Sequence, residues 1–587
     1  MLIGPVFTRE IAAAPRKDMT YFLRSIYAGV LLLLTATAWL VISGTQLIAD
    51  TGDFARFGAM LFQFLAPVQL VLSLFFASVL AASAVGQEKE RKTMLLLLLT
   101  RMSNSELVLG KLLASLLNIL VMLAVSLPVF MTIAVLGGVS YYQIVRVLLV
   151  TLFSMLACGS LGSCIALWRE KTFQAIATTI LVIVLWLAVW ESLAFNGGIY
   201  SALATAFSPW SAVLAASRPE DTVIENGEWK IGNYINSINA FLVVCSFLVV
   251  AINGFAVVMV RIWNPSRELT TDNGKLTTEE SEKLSRNSKK RNRQLPTLNY
   301  QFVWSNPVIW REIMTRAYGK RVWLIQFGFL AFFAMCAYAL YNTLNNNLAV
   351  SVAEMSAPLV PLFLLSLMLV NTQAITSQTS EKDGGTFDLL LVSDITPKEY
   401  VFGKLGGVFY NTKWIVLLPV LLCGYLFWEQ AINGTTLFFL LIGLTVMYVF
   451  SAMTGIYIGM QYDNTRAATA TSLGILFFLF VGIAACMWIM VAFSGSFETQ
   501  LVPFSAFMVG GGVGLYITLG ARNPSSAIAA ASFSLPLAVF YIITSMLLGK
   551  YLLVFAVLAG AFGFTTAAML IPAVAEFDVA TGRVNGD

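Results

Sequence analysis

Histidine is absent from all 587 residues. Without imidazole, zinc hydrolase chemistry, His-based acid–base catalysis and most haem or copper sites have no ligand or proton carrier within this chain. Charge is also scarce: Asp, Glu, Lys and Arg make up 11% of the residues and apolar residues 58%, whereas soluble domains carry about 25% charge. The six cysteines, Cys158, Cys164, Cys245, Cys336, Cys423 and Cys486, all fall in apolar runs. None pairs up in an outer loop, so they imply neither a disulfide framework nor a metal site. A nucleotide cradle is missing too. Gly110-Lys111 is followed by Leu112, and Gly403-Lys404 fails in the same way, without the upstream glycine or the following Ser/Thr that phosphate and magnesium require. The chain is expected to hold no cofactor of its own, and any ATP it uses must be bound by another chain.

What is present is apolar sequence in long runs. A span needs roughly 20 apolar residues to cross a hydrocarbon core about 30 Å thick. Candidate spans lie at 27–47, 61–85, 112–136, 144–167, 173–193 and 240–260, then at 322–341, 357–374, 405–427, 437–458 and 467–492. Further apolar stretches follow at 502–519, 527–547 and 551–570. The expected class is an all-α polytopic integral membrane protein with about 12 to 14 transmembrane helices. Gly510-Gly511-Gly512-Val513-Gly514 suits either close helix packing or a re-entrant turn. The first apolar run is too long for a signal-peptide core and reads as a retained span.

Lysine and arginine orient the chain. Arg9, Arg16, Lys17 and Arg24 precede the first span, and the connection from Arg261 to Arg321 is rich in both residues. By the positive-inside rule these segments are cytoplasmic, and both termini are expected there. The loop 196–239 carries Glu220, Asp221, Glu225 and Glu228 against Arg218 and Lys230, so it faces out. The run Lys289-Lys290-Arg291 with Arg293 reads as a solvated linker beside anionic lipid rather than a nucleic-acid site.

The sequence also repeats itself. Pro5-Val6-Phe7-Thr8-Arg9-Glu10-Ile11 returns as Pro307-Val308-Ile309-Trp310-Arg311-Glu312-Ile313, and the stretch from Glu88 to Lys111 returns without a gap as Glu381 to Lys404. In the second pair Glu88, Lys89, Thr93, Leu96, Leu97, Leu98, Glu106, Gly110 and Lys111 fall on Glu381, Lys382, Thr386, Leu389, Leu390, Leu391, Glu399, Gly403 and Lys404. Trp168-Arg169-Glu170-Lys171-Thr172 and Gln461-Tyr462-Asp463-Asn464-Thr465 interrupt the apolar sequence in the same register. Two homologous halves in one chain account for this: residues 1–263, a cytoplasmic linker at 264–305, and residues 306–587 with a longer apolar tail. In each half a polar cluster ends the second span, and a Leu-rich stretch too short to cross should lie along the interface as an amphipathic helix. Ser103 and Thr396 are candidate N-caps, with Glu106 and Glu399 completing capping boxes.

An amphipathic elbow with Pro-Val-x-x-Arg-Glu, two spans, a cytoplasmic Glu-Lys-Glu/Asp-x-x-Thr-x-x-Leu-Leu-Leu segment and a Gly-Lys opening the third span together resemble the permease subunit of a type-2 ABC exporter. The resemblance covers both halves to about Ala492 and implies six spans per half, with outer or re-entrant helices between the fifth and sixth. It further implies separate ABC ATPase subunits, two copies for a fused pair of halves, with ATP and magnesium on those partners and a location in the cytoplasmic membrane. Coupling would fall on Glu88, Glu90, Glu381 and Asp383, with Arg9, Glu10, Arg311 and Glu312 fixing the elbows. Either basic residues on the ATPase or the chain's own elbow arginines could take these carboxylates. Ionisable residues inside spans are the place to seek a substrate path. Lys413 is the clearest, unless its ammonium snorkels to the interface. Arg146 and Glu191 lie near the outer ends of their spans, and Trp186 and Trp190 fit an interfacial belt. A secondary transporter built from internal repeats and a membrane scaffold for an envelope assembly are the competing readings.

Overall fold

A backbone amide in hydrocarbon has no water to bond, so apolar runs of this length must satisfy their own N–H and C=O groups, and they do so as helices. The computed structural model describes residues 51–194, 199–218, 222–225, 228–231, 233–264, 306–314, 322–346, 352–387, 390, 392–492 and 497–577, with isolated positions before residue 51. Among these, 11 helices are long and apolar enough to cross a membrane, or 12 if one bent pair counts as a single span. The expected first span at 27–47 and the linker from 265 to 305 lie outside the described residues.

The part of the chain before residue 264, called the first half below only for its place in the sequence, runs α1 (Thr51–Glu90), α2 (Thr93–Leu98), α3 (Asn104–Leu136), α4 (Tyr141–Trp168) and α5 (Thr172–Ala194). Two short helices, α6 (Ile199–Phe207) and α7 (Pro209–Ser217), a hairpin of β1 (Thr222–Glu225) with β2 (Glu228–Ile231), and α8 (Asn233–Trp263) complete it. The outward loop expected at 196–239 is therefore largely structured. Ser208 caps α7 with Pro209 in its first turn, and the Trp190 and Phe207 rings stack at 4.5 Å.

The part after residue 305, called the second half in the same sense, opens with the expected elbow segment as α9 (Pro307–Met314) and continues through α10 (Trp323–Asn346), α11 (Val352–Asp383), α12 (Pro397–Asn411), α13 (Lys413–Trp428) and α14 (Gly434–Gln461). The next helix is α15 (Thr465–Phe477), which passes through a π-helical turn (Phe478–Gly482) into α16 (Ile483–Ala492). Then come α17 (Phe497–Leu519), α18 (Ser526–Leu547) and α19 (Tyr551–Ala575).

At 40 residues, α1 is about 60 Å long, roughly twice the hydrocarbon thickness. Its end and the end of α11 therefore project beyond the apolar layer. Within each half the long helix crosses the fourth-span helix at a glycine. A Cβ on Gly162 would stand 2.9 Å from the Ser78 carbonyl, and one on Gly455 would stand 2.8 Å from the Asn371 carbonyl. Small residues at such crossings let backbones approach where lipid offers no hydrophobic drive. Between the halves, α15 packs on α1, and α5 packs on α10 and α11. Phe75 stacks on Phe477 there, with ring centroids 5.0 Å apart.

The tail resolves into three helices, of which α18 and α19 are long and apolar enough to cross a membrane. Gln461 Nε2 donates to the Leu519 carbonyl at 2.8 Å and Arg522 pairs with Asp463 at 2.9 Å, so α17 ends beside the turn after α14. Just past α19, the Phe577 ring lies 5.5 Å from Tyr400, next to the start of α12. The glycine run is no re-entrant turn but part of continuous α17. Gly511 seats the Phe478 ring from the π-helical turn, and Gly512 seats Phe533 of α18. α19 packs along α14 as α8 packs along α4, with α17 and α18 intervening where α6, α7 and the hairpin stand before α8.

One asymmetry cuts through the third span. α3 is continuous, whereas α12 and α13 meet at 62°. Asn411 Nδ2 and Thr412 Oγ1 each donate to the carbonyl four residues back, on Gly407 and Val408, at 2.9 Å. Thr412 itself leaves helical geometry at the break, at φ −98° and ψ 11°. Ile119 and Leu120 occupy the positions of Thr412 and Lys413 in the first half.

Candidate functional site

The polar landmarks of the repeat assemble at one end of the bundle, and they do so twice. Lys89 Nζ, in the last turn of α1, donates to the carbonyls of Leu167 and Arg169 at 2.5 and 2.8 Å. Lys382, at the end of α11, donates to those of Met460 and Tyr462 at 2.6 and 3.1 Å. Both donors and all four acceptors match at an offset of 293 residues, the spacing from Glu88 to Glu381. The last C=O groups of α4 and α14 have no intrahelical partner, and a cation is suited to a helix C-terminus. Each lysine thus ties the end of the second span to the turn between the fourth and fifth.

The same register continues in the backbone. Lys92 and Gly385 both adopt positive φ, 59° and 67°, closing the ends of α1 and α11. Thr93 and Thr386 hydroxyls donate to the Glu88 and Glu381 carbonyls at 3.2 and 3.3 Å. Ser103 with Glu106, and Thr396 with Glu399, form the expected capping boxes. α2 lies at this end with Met94 buried and Leu96 62% exposed, in keeping with an interfacial helix. In the second half Phe387 is buried and Val392 is 85% exposed.

Four charges meet in the second half. Lys404 Nζ binds Glu312 at 2.6 Å and Glu381 at 2.7 Å, and donates to the Ser377 carbonyl at 2.9 Å. Arg311 pairs with both carboxylates, and the Tyr400 hydroxyl donates to Gln378 at 2.7 Å and to Glu381 at 3.2 Å. Lys404 and Glu312 side chains are 1% and 2% exposed. Two cations against two carboxylates make the cluster neutral, which is what burial of charge demands. The cluster joins the elbow α9 to α11 and α12. Asn306 caps α9 by accepting from Val308 and Ile309 N–H at 3.0 and 3.2 Å, while its amide donates to the Glu399 carbonyl at 2.8 Å. Gly403 and Gly407 open the space: a Cβ on either would lie 2.6–2.7 Å from Val308 or Glu312.

In the first half Lys111 pairs with Glu88 and lies 3.1 Å from the Met94 sulfur. Glu88 is 35% exposed. Arg9 is an exposed helical residue, and Glu10 lies outside the described residues.

The remaining two carboxylates stand where the halves meet. Glu90 accepts from the Thr172 N–H at 2.9 Å. Its counterpart Asp383, 1% exposed, binds Thr465 and also accepts across the junction from Arg91 at 2.7 Å and Gln87 at 3.3 Å. Arg91 further donates to the Asp463 carbonyl at 3.2 Å, and Arg466 of α15 donates to the Ser115 carbonyl of α3 at 2.9 Å. Of the alternatives left open by sequence, the structure places Glu381 on the elbow arginine and Asp383 on an arginine of the other half.

Sequence reasoning names the carboxylates and offers the elbow arginine that Glu381 meets, but it misses Lys111, Lys404 and Arg91 as partners. Lys111 and Lys404 enter that reading only as landmarks, although a lysine repeated at the very edge of an apolar span is itself a sign of a buried counter-charge. Arg91 carried no such signal, since Gly384 stands in its place in the other half.

The span residues lie elsewhere. Lys413 is exposed at the bend, 4.5 Å from the Tyr410 ring centroid. Arg146 is buried and donates to the Arg218 carbonyl at 3.3 Å. Glu191 accepts from Ser211 Oγ at 2.8 Å. Trp186 donates to the Phe207 carbonyl at 3.0 Å and packs on Trp190. These contacts pin α6 and α7 to the ends of α4 and α5 remote from Lys89.

A bundle of this many apolar helices is a multi-pass membrane protein. Residues 10–258, somewhat under half of the chain, match the family described as ABC-2 family transporter protein. With the apolar helices, this match supports an ABC-2 type permease, the membrane component of an ABC transporter, and so implies ABC ATPase subunits as partners. Comparison with curated proteins returned no significant match.

Proposed function

We propose that the chain is a complete exporter permease. Two halves, 1–263 and 306–587, are joined by a cytoplasmic linker at 264–305 and are driven by two separate ATPase subunits that bind ATP and magnesium. The single observation that carries this reading is the lysine tie at the ends of α1 and α11, where Lys89 and Lys382 bind matching pairs of carbonyls at one offset. The positive-inside rule puts that end, with both termini, in the cytoplasm of a cell whose cytoplasmic membrane holds the protein.

In this reading the carboxylates are ties rather than contact points. Glu381 and Asp383 are buried in ion pairs, so an ATPase would meet exposed groups around them: Lys92, Leu96, Leu99 and Arg101 in the first half, and Val392 and Asp394 in the second. A push on α2 passes through Glu88 to α3 and through Lys89 to the turn before α5. The matching push in the second half passes through Glu381 to the elbow and through Lys382 to the turn before α15. Each half then moves as a body about the junction between α1 and α15, and α5 and α11, which is the rocking that alternating exposure of a substrate needs.

A tagged pull-down in mild detergent tests this directly. Two ATPase subunits per chain are expected. One per chain would mean that a second permease is required, and none would favour an ion-driven secondary transporter.

A further inference from the structure

Lys413 lies on the outside of the bundle. The exposed face of α12 and α13 runs through Phe402, Tyr410, Trp414, Leu417 and Leu421, large apolar residues at helical spacing, while the opposite side of α13 packs on α10, α11 and α14. Such a stripe on a membrane helix faces lipid. Lys413 sits in the middle of it. No Asp or Glu occurs between Glu399 and Glu429, and among the described residues no carboxylate pairs with the Lys413 ammonium.

A cation on a lipid face is costly unless an anion reaches it, and the anion that lipid itself offers is phosphate. Helical side chains lean toward the helix N-terminus, so at the first residue of α13 the lysine stem points back toward the end that holds the Glu381 cluster. That direction places the ammonium over Tyr410 and carries it toward the headgroups. Tyr410 and Trp414, both about half exposed, bring a phenol O–H and an indole N–H to the same surface.

We propose that Tyr410, Lys413 and Trp414 hold the phosphate of an anionic phospholipid at the bend in the third span of the second half. Lys413 supplies the charge, the two aromatics supply hydrogen bonds and a wall for the glycerol backbone, and the 62° break gives the headgroup a place beside the helix. The first half has Leu120 at this position in an unbroken helix, so the site is not repeated there. The site stands independently of the ATPase reading; only the leaflet, the cytoplasmic one, follows from the orientation proposed above.

The test is native mass spectrometry of the full chain in mild detergent, titrated with phosphatidylglycerol and separately with phosphatidylcholine. Lys413→Leu, which installs the residue of the other half, should weaken the tightest phosphatidylglycerol binding about fivefold, the equivalent of the ~1 kcal/mol that one basic residue contributes at an anionic lipid surface. Phosphatidylcholine binding should be unchanged, and Lys413→Arg should retain the wild-type affinity. Should the leucine variant fail to fold, Lys413→Gln is titrated in its place and should show the same loss. Unchanged phosphatidylglycerol affinity in the charge-free variant would overturn the proposal. So would equal wild-type affinity for both lipids, or displacement of the lipid by millimolar inorganic phosphate, which would mark a site for free phosphate.

Discussion

Lys404→Met removes one cation from a cluster that is neutral only when complete. Glu312, 2% exposed, and Glu381, 11% exposed, are then left to share Arg311. Removing one partner of a buried ion pair costs about 3–5 kcal/mol, because the charge left behind has neither water nor a counter-ion. Adding Glu312→Gln restores neutrality, with Arg311 and Glu381 still paired. The double variant should therefore lose much less than the sum of the two single variants, with a coupling of about 2–3 kcal/mol. Equilibrium unfolding in mixed micelles of increasing SDS content measures all four corners of the cycle. The matching Lys111→Met in the first half should lose only about 1–3 kcal/mol, since Glu88, at 35% exposure, can turn to water. Additive losses in the second half, or an equal loss at Lys111, would refute the view that a closed neutral cluster fastens the elbow to α11 and α12.

Gly162→Val and Gly455→Val place side chains against the Ser78 and Asn371 carbonyls; each should lower the unfolding midpoint, by an overpacking cost of about 1–3 kcal/mol or more. Gly511→Ala should be destabilising until combined with Phe478→Ala, which vacates the seat; the same unfolding assay reads the rescue. Lys92→Gly relieves a positive φ that side chains disfavour and should stabilise the chain by about 0.5–1 kcal/mol, read as a higher midpoint. Arg91→Ala leaves Asp383 buried with Gln87 and Thr465 alone, so it should cost about 1–3 kcal/mol. Arg91→Ala should also raise the labelling rate of a cysteine placed at Gln87, whereas an unchanged rate would mean that the halves stay closed without the pair.

The repeat was legible because polar residues persist in an apolar chain only where each has a partner. The 23-residue interval from Glu88 to Lys111 is in effect a contact written in sequence, and its recurrence from Glu381 to Lys404 is the same contact again. The capping boxes were legible for a similar reason, since both members lie within one turn. The glycine run in α17 was ambiguous because a missing Cβ serves a turn and a ring seat equally well, and the rings that decide it belong to other helices. The bend before α13 was hidden because no proline or glycine marks it: Pro419 lies a full turn and more beyond the break, where Thr412 leaves helical geometry. The Arg91–Asp383 pair was illegible because, although the acid recurs as Glu90, Gly384 stands where the arginine would repeat.

That last pair has a consequence for how such a molecule changes over generations. Two identical chains meeting on a twofold axis would carry every residue at their seam in duplicate, so each substitution there would strike both sides at once. Here Arg91 faces Asp383 while their counterparts are Gly384 and Glu90. A clasp that exists on one side can be loosened or tightened by a single codon while the other side is left untouched. The two ends of the seam are free to drift apart in strength, and the order in which they open becomes a heritable trait.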